Sequence, residues 1–179
     1  MENTKIIFDL DRTLLNTDAM KHGIAEVLGV DNLTTDFVLE KLRERDERLL
    51  SFLEEKTADY IFPGVLDKLD EIKQMGEMVL LTMGDKELQK IKVDEMRELK
   101  EKFDRILYPK DSQEKIAFFR ELVEEGGEII SFNDNQEEND EFKKIYPKNI
   151  FSVSKEQNNL NELIDDLKKK WKPIDFKFK

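Results

Sequence analysis

The run Lys5-Ile6-Ile7-Phe8-Asp9-Leu10-Asp11-Arg12-Thr13 ends a short apolar stretch in two carboxylates spaced two residues apart, with a hydroxyl two residues further on. Alternate side chains of an extended strand share a face. Asp9, Asp11 and Thr13 are therefore expected to start out on one side, at the carboxyl end of a buried strand. Open α/β sheets bind their ligands at that edge. Two adjacent carboxylates repel, so the pair needs a cation or a proton to be tolerated, and the pattern points to chemistry rather than packing. Two later apolar runs also end in polar groups: residues 78–81 stop at Thr82-Met83-Gly84-Asp85, and residues 128–132 at Asn133-Asp134, with Glu137 and Glu138 just beyond.

The elements that must position these groups alternate. Residues 5–10, 78–81, 105–108, 128–132 and 150–153 read as strands. Residues 65–75, 86–101, 113–125, 137–145 and a final stretch through Leu160, Leu163, Ile164, Leu167 and Trp171 read as helices from apolar residues at helical spacing. Strands alternating with helices imply a parallel sheet with right-handed crossovers. Residues 18–60 break the alternation. A helix over 18–29 closing at Gly29 is followed by a long helix over 36–55 capped by Thr35, its charged middle (Arg43 to Arg48) a solvated face. Pro63-Gly64 marks a turn and a boundary. The expected architecture is a Rossmann-like three-layer α/β core from residues 1–14 and 62–179, with a small helical cap inserted at 15–61.

With 179 residues the chain is expected to form one domain, or one domain with a modest insertion. Apolar residues make up 39% and charged residues 40%, enough for a core beneath a highly charged surface. No apolar run approaches the ~20 residues that span a bilayer, and no signal-type segment opens the chain, so a cytoplasmic protein is expected. Cysteine is absent, which excludes disulfides and thiolate metal sites, and the single His22 reads as a surface or cap residue. A net charge of −11 disfavours nucleic acid and anionic membranes as partners. It also means that a phosphorylated ligand needs a local lysine or a bound cation.

Taken in order, these motifs resemble the haloacid dehalogenase superfamily, specifically its phosphatase branch. Its Asp-x-Asp-x-Thr stands as Asp9-Leu10-Asp11-Arg12-Thr13, and its strand-closing Thr as Leu81-Thr82-Met83-Gly84. Pro63-Gly64-Val65, Gln89 with Lys92, and Phe103-Asp104 match the flanking pattern; Asp134 and Glu138 match the acids of the fourth motif. The third motif is a lysine, for which Lys115 and Lys110 are both candidates, with spacing favouring Lys115. Asn133 stands where the family usually carries Gly or Asp, and Met83 where it often carries Asn.

The resemblance implies roles. Asp9 would attack phosphorus and form an aspartyl-phosphate, and Asp11 would serve as general acid, then base. Mg²⁺ would be held by Asp9, the Asp11 carbonyl and Asp134, with Glu138 supporting it through water. Thr82 with the amides of Met83 and Gly84 would bind phosphoryl oxygens, and Lys115 would neutralise added charge. The implied substrate is a small phosphorylated metabolite, a nucleotide or sugar phosphate. Two alternatives stand beside it: a phosphomutase of the same fold, and a non-catalytic binding or regulatory module.

Overall fold

The computed structural model describes residues 4–170, so Trp171 lies outside the described residues. Five strands, β1 (Lys5–Phe8), β2 (Glu77–Leu81), β3 (Arg105–Leu107), β4 (Ile129–Asn133) and β5 (Ile150–Ser152), form one sheet in the order β3-β2-β1-β4-β5. Every pairing is parallel, with Phe8 level with Leu80 on one side and Phe132 on the other. The chain winds outward from β1 through β2 to β3, then returns to the other side of β1 for β4. The crevice at that reversal lies between the carboxyl ends of β1 and β4, the usual ligand position in an open sheet.

Strand alternation splits the core in two. Ile6, Phe8, Met78, Leu80, Ile130 and Phe132 face one layer, built from α4 (Val65–Lys73), α5 (Lys86–Glu95), the short α6 (Arg97–Lys100) and α9 (Leu160–Lys170). Ile7, Val79, Leu81 and Ile129 face the other, where α7 (Ser112–Glu124) and α8 (Gln136–Ile145) supply Phe119, Leu122 and Phe142. Phe119 and Phe142 stack with centroids 4.0 Å apart and planes at 8°; such pairs contribute about 0.5–1.5 kcal/mol beyond area burial. The strands read as near-continuous apolar runs because both sheet faces are covered.

Between β1 and α4 stand α1 (Thr17–Leu28), α2 (Thr35–Arg43), α3 (Glu47–Lys56) and a 3-10 turn (Thr57–Tyr60). Their apolar faces (Met20, Ile24, Val38, Leu49, Phe52, Leu53) are continuous with the core layer of α4 and α5. The expected single helix over 36–55 is two helices. Arg45 adopts φ 57°, and Asp46 then caps α3 by accepting from the Arg48 amide at 3.0 Å. The local Asp cap outcompetes continuation of the helix. Thr34 rather than Thr35 caps α2, accepting from Phe37 N at 3.2 Å. The helical stretch expected at 86–101 also divides, at Met96, into α5 and α6. His22 is exposed. Among the described residues no helix is long and apolar enough to cross a membrane.

Candidate active site

Strand β1 ends at Phe8, and its last ladder-type bond runs from Asp9 N to Phe132 O at 3.0 Å. Beyond it the chain does not stay extended. Leu10 O accepts from the amides of Thr13, Leu14 and Leu15, and Arg12 takes φ 61°. This turn corrects the expectation that Asp9, Asp11 and Thr13 share a face. Asp9 and Asp11 reach the crevice, whereas Thr13 is fully buried with its hydroxyl unpartnered among the described residues.

Asp9 is 7% exposed. Its Oδ1 accepts from Lys115 Nζ at 2.7 Å; its Oδ2 makes no hydrogen bond among the described residues. Lys115, on the first turn of α7, also pairs with Glu138 Oε2 of α8 at 2.7 Å. Asn133 Nδ2 donates to that same Glu138 oxygen at 2.9 Å. The amide at position 133 thus supplies a donor where a second acid would confront a buried carboxylate. Burial, with Asp11 and Asp134 nearby, raises the Asp9 pKa to about 6 against the pull of Lys115. Burial works against the Lys115 ammonium, but Asp9 and Glu138 outweigh it and raise its pKa. Of the two candidate lysines, Lys115 reaches Asp9. Lys110 is exposed, and its amide donates to Glu114.

Asp11, two residues on, is fully occupied. Its Oδ1 accepts from Thr17 Oγ1 and Lys92 Nζ, both at 2.6 Å, and its Oδ2 from Gln89 Nε2 at 2.8 Å. Burial pushes its pKa up, but the Lys92 charge and these three hydrogen bonds prevail and hold it below the ordinary value. Thr17 opens α1 and Lys92 lies on α5, so the inserted helices and the core meet on this carboxylate.

Thr82 follows β2 and is fully buried, its hydroxyl donating to Gln89 Oε1 at 3.2 Å. The Gly84 amide donates to Pro109 O at 3.1 Å and is thereby committed to the fold. The Met83 amide makes no such bond among the described residues, and Met83 lines the crevice. Gly84 is required there: at φ 139° a Cβ would meet Gln89 Nε2 at 3.0 Å.

The crevice is a cavity of about 170 Å³ whose walls include Asp9, Asp11, Lys115, Asp134 and Glu138. Asp134 faces Lys155 Nζ at 3.7 Å, and burial raises its pKa against Lys155, Lys115 and Arg12. Glu138 is turned to Lys115, Asn133 and Ser112. Among the described residues no three His, Asp or Glu side chains are arranged to hold a metal ion by themselves. Two carboxylates whose ionised forms are disfavoured, Asp9 and Asp134, line one cavity. Next to them the Asp11 carbonyl accepts no backbone hydrogen bond among the described residues. An all-oxygen set of this kind suits a hard divalent cation that keeps several waters.

The motif reading found Asp9, Asp11, Lys115, Asp134 and Glu138 in one place. It missed Thr17, a hydroxyl at a helix start with no pattern of its own, and Lys155, which only the fold brings to Asp134. Gln89 and Lys92 carried a signal, their spacing after Thr82, but that spacing does not say what they touch.

No family model matches the sequence, and no curated protein matches it. Solved structures match in fold. A provisionally assigned haloacid dehalogenase-like hydrolase from Burkholderia xenovorans matches with a TM-score of 0.63 at 21% identity, over 90% of this chain and 86% of its own. A provisionally assigned beta-phosphoglucomutase from Thermotoga maritima gives 0.57 at 18% identity, over 94% and 99%. The L-2-haloacid dehalogenase of Xanthobacter autotrophicus, with chloropropionic acid covalently bound, gives 0.53 at 13% identity, over 85% and 77%. The chain has the haloacid dehalogenase-like fold, a parallel α/β sheet flanked by helices. At these identities the likeness carries the fold and not the reaction.

Proposed function

We propose that this protein is a hydrolase of small phosphomonoesters that works through a phosphorylated Asp9. The observation that carries the reading is the buried Asp9–Lys115–Glu138 chain opening on a cavity that Asp11 and Asp134 also line. Lys115 holds one oxygen of Asp9 and leaves the other without a donor among the described residues. That free oxygen attacks phosphorus as the bond to the leaving oxygen breaks. Asp11, ionised while its donors hold it, takes up a proton from solvent as a donor leaves and gives it to the leaving oxygen. It then takes a proton from the water that cleaves the aspartyl-phosphate and releases inorganic phosphate. Before it can act, Asp11 must let go of at least one of its three donors. The Met83 amide and Lys115 are the groups best placed to meet phosphoryl oxygens; Thr82 can join only by turning its proton away from Gln89.

Asp9, the Asp11 carbonyl and Asp134 would hold Mg²⁺, which when bound supplies charge neutralisation to the transferring phosphoryl group. Glu138 serves this site by fixing Lys115. The helices over 15–61 act as a cap: Thr17 joins them to Asp11, and a small apolar cavity under α1 and α2, of about 50 Å³, borders Lys92. A cap of this size supports a small phosphorylated metabolite, such as a nucleotide or sugar phosphate, as substrate.

A dehalogenase shares the fold, but a carbon–halogen bond needs no acid beside the nucleophile, and Asp11 argues for an ester whose leaving oxygen must be protonated. The test measures phosphate release from 4-nitrophenyl phosphate and a set of phosphorylated metabolites, and halide release from a 2-haloacid, each with and without Mg²⁺. The reading expects Mg²⁺-dependent phosphate release, lost in Asp9→Asn, and no halide; the reverse pattern contradicts it.

A further inference from the structure

Gln89, at 5% exposure on the first turn of α5, uses its whole amide. Its Nε2 donates both protons, to Asp11 Oδ2 at 2.8 Å and to the Met83 carbonyl at 3.0 Å, and its Oε1 accepts the Thr82 hydroxyl at 3.2 Å. The amide orientation is determined, because the flipped form would set oxygen against a carboxylate and a carbonyl. A hydroxyl has one proton, and Thr82 spends it here. The two oxygens of Asp11 are held differently. Among the described residues Oδ1 is anchored twice, by Thr17 and Lys92, whereas Oδ2 depends on Gln89 alone.

We propose that Gln89 is a positioning residue that couples occupancy of the phosphoryl site at Thr82 to release of Asp11 Oδ2. The inference rests on the phosphate-ester reading. An anionic oxygen arriving beside Thr82 competes for the one hydroxyl proton. When Thr82 turns to it, Gln89 Oε1 loses its donor in a buried setting where an unpaired acceptor is costly. The amide is then held through Nε2 alone among the described residues and is freer to rotate, which withdraws Nε2 from Asp11. Oδ2 becomes free to take up a proton and face the leaving oxygen, while Lys92 and Thr17 keep Oδ1 in place. The acid is thus exposed only when a phosphoryl group is present, and the empty site keeps it covered.

The probe is tungstate, a phosphate mimic, added with Mg²⁺ to the full chain labelled for NMR at backbone and glutamine side-chain amides. Expected in the wild type is movement of the Gln89 side-chain signals together with the Met83 backbone amide. In Thr82→Val, which removes the proton at nearly constant volume, the Met83 amide still moves and the Gln89 signals stay. A crystal structure of the wild type with tungstate should place Thr82 Oγ1 on a tungstate oxygen and Gln89 Nε2 out of hydrogen-bond range of Asp11 Oδ2; this second measurement stands whether or not Thr82→Val folds. Tungstate bound with the Gln89–Asp11 bond intact overturns the coupling alone. If no signal around Asp9 and Met83 responds, the phosphoryl site itself is wrong and the coupling falls with it.

Discussion

Two carboxylates two residues apart live in opposite environments. Asp9 looks toward α7 and α8, where one lysine is shared with Glu138, one oxygen has no donor among the described residues, and burial raises the pKa to about 6. Asp11 looks toward α1 and α5, where three donors occupy both oxygens and the pKa falls. Asp9 is buried and Asp11 partly exposed; at Asp11 the Lys92 charge and the three hydrogen bonds overcome desolvation and set the sign. The difference teaches which group is ready to react: an underused carboxylate facing a cavity is poised as a nucleophile or ligand, and a saturated one is stored until something releases it.

The sharpest break in this comparison is kinetic. Asp9→Asn should lower phosphate release by at least about a thousandfold on every ester, because the covalent step is gone. Asp11→Asn should cost about 10²–10⁴-fold on esters with poor leaving groups, and visibly less on 4-nitrophenyl phosphate, whose leaving oxygen needs little protonation. Equal losses across leaving groups in Asp11→Asn would remove its role as acid.

Stability separates the two halves next. Lys115→Met strands Asp9 and Glu138 together without a cation and should cost about 3–5 kcal/mol in urea unfolding. Lys92→Met leaves Asp11 with Thr17 and Gln89 and should cost less, about 1–3 kcal/mol. The reverse ranking would mean that the Asp11 network, not the Asp9 chain, holds this end of the sheet.

The pH dependence should have opposite signs. The folded pKa of Asp9 lies above its ordinary 3.8, so its contribution is present below pH 4 and is lost as pH rises through about 6. Metal-free Asp9→Asn should therefore be more stable than wild type at pH 8, by about 1–3 kcal/mol, with the gain shrinking toward pH 4. The folded pKa of Asp11 is depressed, so its contribution is present above 3.8 and is lost as pH falls through the depressed value. Asp11→Asn should be less stable at pH 8, with the deficit closing in acid. Thermal unfolding against pH reads both. The smallest effect is at the rim: Lys155→Ala removes a half-exposed partner 3.7 Å from Asp134, and its stability cost should stay below about 1 kcal/mol.

Much of this site was legible because strand ends in a parallel sheet converge whatever happens between them. Asp9, Thr82 and Asp134 each follow a short apolar run, and that alone placed all three at one edge. What the pattern of residues did not carry was side-chain direction. Period-two alternation put Thr13 beside Asp9, but the backbone turns at Leu10 and sends Thr13 inward. Glu138 sits at the expected edge yet spends its charge on Lys115, a partner 23 residues away in sequence. The helix over 36–55 broke because an Asp able to cap its own new helix stood in the middle of a charged run that reads equally well as a solvated face.

The central claim is that phosphate is carried on Asp9, and trapping tests it most directly. Protein mixed with Mg²⁺ and a hydrolysed phosphomonoester, quenched in acid and reduced with borohydride, should yield homoserine at position 9 in peptide mass spectra. Turnover that leaves Asp9 unreduced under conditions that trap a known acyl-phosphate would contradict the account.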